Sequence, residues 1–548
     1  MITYNLSYIQ SIITKDNQPH ISETSLDMVW LYSSACIRIV NSRNSTIAHS
    51  LSAIYIVDKV GEEIVDSFCL SICHLPLDQV EKDYKIYVAA PHLHGNGDVI
   101  WLDSSVVALA PVFRAMDDPL YDYMKYALQN GFNFLPLDSL VGNPLLLSLN
   151  LIKVLCRSIY SLETSHRFRE FLSVTPELLA PIVIRSSPFN FTNASIFADF
   201  ASTGNLNFTL QDERGCHGYL SDIKYLENMS GALVTTRQDE AVGLLVGNLR
   251  KINGDGDLLV IAPWERLLPL LPHLKMTTET KNFEKSWILP TSNAALTSKN
   301  PVFPIVLFKD NRNLSWGSCI LLNQLTLVTN LHVIKPYRES TDIVCEVVIN
   351  ESTSMTIGQD DEIIIPFESL DLAFIVLSPQ NMMLVSSIRP TKMSFSNNLQ
   401  IGDVVTTSGY GLILNRDHLK TMKSSGHVSS KIYHQPFESS PKIPCVLIAS
   451  SSCWNGSSGG GLFNERGSLV GLICSNAQVF VPSVNGSVAS KTEKVPLFCL
   501  CIPLELILEC YQKKVVEKED DVELNIKVEK AWRLESYHQD IFERNSKL

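Results

Sequence analysis

Apolar residues fall mostly in short runs of Val, Ile and Leu, each closed off by Gly, Asn, Asp or Pro. SAIYIVD (52–58), AVGLLVGNL (241–249), IVLFKD (305–310), DLAFIVLS (371–378) and LVGLIC (469–474) are representative. Runs of this length between turn formers predict the strands of a mainly β chain, a barrel or a sandwich. Helical spacing is confined to 144–157, 503–515 and the region around 523–543. The polar stretch 276–300 predicts a linker between two domains.

The apolar pattern also repeats faintly. SAIYIVD (52–58) pairs with SCILLNQ (318–324), DSSVVALAP (103–111) with DLAFIVLSP (371–379), and MSGALVTTRQDEAVGLLVGN (229–248) with SGGGLFNERGSLVGLICSN (458–476). The order is the same in both halves. In this pairing Asp103 stands opposite Asp371, Ile64 opposite His332, and Ser230 opposite Ser458. The predicted organisation is a diverged copy over 1–275, the linker at 276–300, a second copy over 301–511, and a charged tail over 512–548.

A chain of 548 residues is long enough for two or three domains. With 45% hydrophobic and 19% charged residues it is globular. The net charge of −12 provides no basic stripe for a nucleic acid. No apolar stretch is long enough to span a membrane, and the first residues lack the pattern of a secretory signal. The thirteen cysteines, with no CxxC spacing, point to reduced thiols in an intracellular compartment. His92 and His94 in PHLHG suggest a polar loop rather than a metal pair, and no metal or cofactor is expected. The terminal Ser546-Lys547-Leu548 is a receptor-read peroxisomal address at the end of a polar tail.

The chemistry concentrates in the second half. A serine hydroxyl becomes a nucleophile when a base takes its proton, an acid orients that base, and backbone N–H groups await the oxyanion. CWNGSSGGGLFNERGSLVGLICSN (453–476) places Ser458 in a glycine-rich turn. There the N–H groups of Gly456 and Ser458 can converge. His332 follows the apolar run LTLVTNLHVI, and Asp371 opens another, SLDLAFIVLS. The three occur in the order His, Asp, Ser, with gaps of 39 and 87 residues.

LVTNLHVI, LDLAFIVL and GSSGGGLFNERGSLVGLI resemble the three catalytic blocks of trypsin-like serine proteases, closest to the intracellular HtrA/Deg branch. The resemblance covers about 300–511 and implies a double β-barrel serine endopeptidase. It makes His332 the general base, Asp371 its orienter, Ser458 the nucleophile, and Gly456 with Ser458 the oxyanion hole. Ser457 and Gly461 depart from the family's usual residues without removing a catalytic group. Together with the terminal tripeptide and the diverged first half, the chain resembles the peroxisomal presequence-processing proteases, whose plant relatives act in glyoxysomes. That resemblance implies a peroxisomal matrix location, removal of presequences from imported enzymes, and self-cleavage near cysteine. The implied partners are peroxisomal matrix proteins as substrates and the import receptor, with homo-oligomerisation left open. An HtrA-like quality-control protease of broad specificity is the alternative.

The walls of the primary pocket are expected at Ser452, Cys453, Cys474, Ser475 and Asn476, none of them a carboxylate. Such a pocket should disfavour Arg and Lys and suit a small, weakly polar side chain. Self-cleavage is expected after Cys69 or Cys73, just ahead of a polar stretch.

Overall fold

The computed structural model describes residues 28–43, 47–60, 63–73, 84–89, 101–113, 117–135, 149–156, 168–190, 199–252, 256–270, 301–475, 478–481, 491–494 and 497–533. The linker 276–300, His74, His92, His94, Asn476 and Ser546-Lys547-Leu548 lie outside them.

The short apolar runs form strands that close into barrels. β1 (Met28–Asn41), β2 (Ile47–Val60), β3 (Glu63–Cys73), β4 (Tyr84–Ala89), β5 (Leu102–Pro111) and β6 (Asn150–Leu155) pair in the cyclic order β1-β2-β3-β6-β5-β4. A second barrel holds β7 (Pro181–Ser186), β8 (Phe200–Asp212), β9 (Gly215–Ser221), β10 (Leu233–Thr236), β11 (Ala241–Lys251) and β12 (Asp257–Pro263). It closes in the equivalent order, β7-β8-β9-β12-β11-β10. Closure leaves no strand edge unpaired. The interiors fill with apolar side chains, such as Ile37, Tyr55, Val88 and Val154 in the first barrel and Ile184, Leu206, Leu245 and Ile261 in the second.

The second half repeats this plan. β13 (Val302–Lys309), β14 (Arg312–Asn323), β15 (Thr326–Thr329), β16 (Ile343–Asn350), β17 (Thr353–Ile357), β18 (Glu362–Ile364) and β19 (Ala373–Val376) form a third sheet. Its order is β17-β16-β13-β14-β15-β19-β18, with the fifth strand in two pieces. β20 (Val404–Gly409), β21 (Met422–His434), β22 (Ile443–Ala449), β23 (Gly461–Asn464), β24 (Leu469–Ser475) and β25 (Cys499–Pro503) close the fourth barrel as β20-β21-β22-β25-β24-β23. Both halves thus use one topology, as the mainly β, duplicated reading expected.

Two details of the repeat are corrected. Asp103 lies on the fifth strand, opposite Tyr87, and not where Asp371 opens the sixth. Ile64 is the second residue of β3, opposite Lys59. Register gives the true equivalents. Thr329 pairs with Ala373 as Ser71 pairs with Ile152, so Asn150, opposite Cys73, holds the place of Asp371. The residue three past Ser71, matching His332 three past Thr329, is His74. The Ser230 pairing stands. Gly231 N–H donates to Leu245 O at 2.8 Å, and Gly459 N–H to Ile473 O at 2.9 Å. Both glycines have positive φ, +84° and +82°. Asn228 (φ +67°) takes the left-handed position that Gly456 (φ +91°) takes in the other copy.

The helical spacing at 144–157 is also corrected. Residues 150–155 form β6, whose two faces are both covered, so an almost continuous apolar run replaces alternation. Near 503–515 a helix does form, α1 (Leu504–Tyr511), and α2 (Ile526–Arg533) falls in the last helical region. α2 is not a free tail. Val528 and Trp532 join the core between the third and fourth barrels, and Trp532 Nε1 donates to Cys445 O at 3.0 Å. Trp532→Ala is therefore expected to lower unfolding free energy by about 3 kcal/mol in urea titration, the cost of an indole-sized cavity.

Candidate functional site

His332 and Asp371, from the third sheet, and Ser458, from the fourth barrel, are linked through Cys474. Each is placed by a strand end. β15 stops at Thr329, Asn330 precedes the helix Leu331–Glu339 without a side-chain bond to it, and His332 is the helix's second residue. Asp371 ends a short 3₁₀ turn, Glu368–Leu370, at φ +54°, just before β19. A non-glycine residue held in this region costs energy, which surrounding bonds must offset. The Asp371 carbonyl accepts from Asn330 Nδ2 at 3.0 Å and from Leu331 N–H at 3.1 Å.

The Asp371 carboxylate faces three donors. Oδ1 accepts from the His332 backbone N–H at 2.8 Å, and Oδ2 from the His332 ring at Nδ1, 2.6 Å away. A carboxylate only accepts, so the ring proton sits on Nδ1 and Nε2 is left as an acceptor. The third donor is the Cys474 thiol, 3.2 Å from Oδ2. The His332 side chain is half exposed, at 50%, and Asp371 at 28%, so the ring reaches solvent while its partner is shielded.

Ser458 lies partly buried in the turn before β23. Its hydroxyl donates to the Cys474 carbonyl at 3.1 Å. The turn is clamped from below. Ser457 N–H donates to Trp454 O and Gly460 N–H to Ser457 O, both at 2.8 Å. Ser318, fully buried on β14, donates its hydroxyl to Gly456 O and its N–H to Ser458 O, both at 2.8 Å. The N–H groups of Gly456 and Ser458 have no acceptor among the described residues. Two adjacent free donors beside a hydroxyl form an anion cradle.

The expected pocket residues separate. Ser452, Cys453 and Cys474 are buried, Ser475 is exposed, and Asn476 lies outside the described residues. Cys474 turns its thiol to Asp371 and presents its carbonyl to Ser458. Cys453 donates to Phe498 O at 3.6 Å. A carboxylate of the first half reaches Ser452. Asp222, from the first half, accepts from Ser452 Oγ at 3.1 Å. Sequence reasoning missed it because nothing near Asp222 marks a contact 230 residues away.

In the first half the equivalent turn carries no open site. Ser230 is 2% exposed and shares a hydrogen bond with the Tyr225 hydroxyl at 3.1 Å. Cys69 and Cys73 are also corrected as self-cleavage positions. Both are buried on β3, paired with β6, and a strand inside a closed barrel cannot enter a peptidase cleft without unfolding. PHLHG is outside the described residues, and among those described no cluster of His, Cys, Asp or Glu could hold a metal.

Residues 317–472 match the family model described as a trypsin-like peptidase domain. Among solved structures, the HtrA-type protease AlgW with tripeptide is 18% identical. The alignment covers 41% of this chain and 64% of that one, with a TM-score of 0.29. A variant of AlgW with tripeptide is 17% identical over 41% and 62%, with a TM-score of 0.28. Deg5 is 18% identical over 40% and 93%, with a TM-score of 0.28. This chain thus spans slightly less than two thirds of the AlgW chains. A comparison with curated proteins finds no match. The second half therefore carries a trypsin-like peptidase domain, the domain of serine endopeptidases.

All thirteen cysteines are free and buried. Burial, and then the charge of Asp371, push the Cys474 thiol well above the usual thiol range. At neutral pH the native chain is expected to show almost no thiol reactive toward Ellman's reagent, and thirteen in denaturant. Fast titration of Cys474 in the native chain would contradict the contact with Asp371.

Proposed function

We propose that this chain is a serine endopeptidase of the peroxisome. It removes presequences from imported enzymes, processes other matrix enzymes, and cleaves itself. One observation carries the peptidase reading: Cys474 bonds Asp371, the partner of His332, through its thiol and Ser458 through its carbonyl, and the N–H groups of Gly456 and Ser458 have no acceptor among the described residues.

The chemistry follows from the proton positions. Asp371 holds the Nδ1 proton, so Nε2 takes the Ser458 proton as the hydroxyl oxygen attacks the substrate carbonyl. The carbonyl oxygen becomes an oxyanion between the Gly456 and Ser458 N–H groups. The ring, now cationic beside the Asp371 carboxylate, gives its proton to the leaving amine, and the C–N bond breaks. A water molecule, deprotonated by the same Nε2, releases the acyl group from Ser458. The first half, with Asn150 in the place of Asp371 and Ser230 sealed beneath Tyr225, acts as a supporting copy.

The location rests on Ser546-Lys547-Leu548, and thirteen unpaired thiols fit a reducing compartment. Presequence processing rests on the resemblance of the peptidase blocks combined with that address.

Ser458→Ala is expected to lower kcat toward a presequence peptide by about 10⁴-fold or more with the fold intact. Turnover at the wild-type rate would overturn the assignment. New N-termini that form on incubating the purified chain should be missing from the Ser458→Ala protein. A chain lacking residues 546–548 is expected in the cytosol by fluorescence microscopy, with its activity in vitro retained. Continued import into peroxisomes would overturn the address.

A further inference from the structure

The two halves meet along β8 and β21. Asn207 Nδ2 donates to Lys423 O at 2.9 Å. Asp222, directly after β9, accepts from the Ser424 and Ser452 hydroxyls, each at 3.1 Å. The contact continues along the segment between β20 and β21. Leu412 and Ile413 of this segment, together with Trp454, sit in one apolar core with first-half residues. From the first-half helix Pro119–Gln129, the Tyr126 hydroxyl donates to Leu414 O at 2.5 Å. Gly256, just before β12, lies against both Leu412 and Trp454. A methyl group on it would sit 3.4 Å from Leu412 Cδ1 and 3.0 Å from Trp454 Cδ1.

This segment holds the peptide that presents Gly456. Leu412 N–H donates to Asn455 O at 2.7 Å. A trans peptide is planar, with its carbonyl and its N–H on opposite sides. With Asn455 O turned to Leu412, the Gly456 N–H points the other way, away from the segment. Gly456 cannot enforce this itself. Glycine is as stable at negative φ as at its observed +91°, so the peptide before it could turn over. Leu412 does not rest in place unaided either. Its φ is +56°, and Ile413 N–H donates back to Gly411 O at 2.6 Å, a tight three-residue turn centred on a residue with a side chain. Such a turn costs energy that its surroundings must offset. Those surroundings are the core that Leu412 shares with the first half and the bond from Tyr126 to Leu414.

We infer that the first half is the positioning element of the oxyanion donor Gly456. Through Tyr126 and the shared core it seats Leu412, and through the Leu412 N–H it sets the Asn455–Gly456 peptide with the Gly456 donor free. Leu412 and Tyr126 are thus positioning residues that touch no substrate. The other donor is set within the second half, because Ser457 O, on the same peptide as the Ser458 N–H, accepts from Gly460 N–H at 2.8 Å. Loosening the grip of the first half therefore removes one donor of two and leaves the His332–Asp371 pair as it is. The inference rests on the peptidase reading above and names what the first half does for it.

The test uses the full chain and an alkyl fluorophosphonate. As Ser458 displaces fluoride, the phosphoryl oxygen takes the two N–H groups, so the labelling rate reads those donors. Leu412→Ala withdraws the side chain from the shared core and keeps the N–H. Tyr126→Phe removes only a hydroxyl of the first half. Per folded molecule, the plateau rate at high pH is expected to fall about tenfold in Leu412→Ala and about threefold in Tyr126→Phe. Both are short of the loss of about 10²–10³-fold that follows deletion of a donor. Leu412→Met, which refills the core, should recover most of the rate. The acid limb of the pH profile should stay in place in all three variants, because His332 keeps its partner. Thermal unfolding gives the folded fraction, and if Leu412→Ala does not fold, Tyr126→Phe decides. Wild-type rates in the folded variants would overturn the inference. So would a loss accompanied by a shifted acid limb, which would place the effect on His332. Wild-type chain that does not label at Ser458 would overturn the peptidase reading itself, and the inference with it. Labelled wild type with insensitive variants would overturn only the positioning role of the first half.

Discussion

Ser318 holds the active turn to the barrel behind it. It is fully buried and bonded on every side. Its N–H meets Ser458 O, its hydroxyl meets Gly456 O and the Tyr410 N–H, and its carbonyl takes the Thr329 hydroxyl at 2.7 Å. A Cβ on Gly459 would collide with the Ser318 carbonyl, so only a glycine lets the two backbones approach this closely. Everything the site requires follows from that contact. The turn cannot drift, its two N–H groups stay pointed outward, and the nucleophile stays beside the strand end that carries His332.

The same clamp exists without its chemistry in the first half. The Ser52 hydroxyl donates to Asn228 O at 2.7 Å, and Ser71 Oγ donates to Ser52 O at 2.6 Å, as Thr329 does to Ser318. Asn228 keeps the left-handed backbone, and Gly231 keeps the close approach. A clamp of this kind is a packing device first. It joins two barrels into one domain whether or not a reaction takes place above it. That explains why the turn persists where the carboxylate has become Asn150 and the hydroxyl of Ser230 is enclosed.

The strands, the duplication and the grouping of His332, Asp371 and Ser458 were legible in the chain. Each depends on local features, namely short apolar runs, turn formers, and a glycine-rich turn before a buried strand. What escaped was non-local. Asp103 was matched to Asp371 because both precede similar apolar runs, and only strand pairing separates the fifth strand from the sixth. Residues 150–155 looked helical because a strand covered on both faces loses its alternation. Cys69 looked exposed because its downstream neighbours are polar, although the barrel encloses it. Asp222 carried no signal, since its partners lie in the other half.

The contact between the halves joins like with like. β8 is the second strand of its barrel, and the strand it touches, β21, is the second strand of the corresponding barrel. A like-on-like contact is the geometry of a two-fold dimer, here held within a single polypeptide. Such a fusion divides constraint unevenly between its members. The turn of the silent member is free to change, because nothing outside that copy depends on it. Its outer face is not free, since a substitution there disturbs the bonds it makes to its twin. Drift in the silent copy should therefore be greatest near Ser230 and least around Asn207 and Asp222.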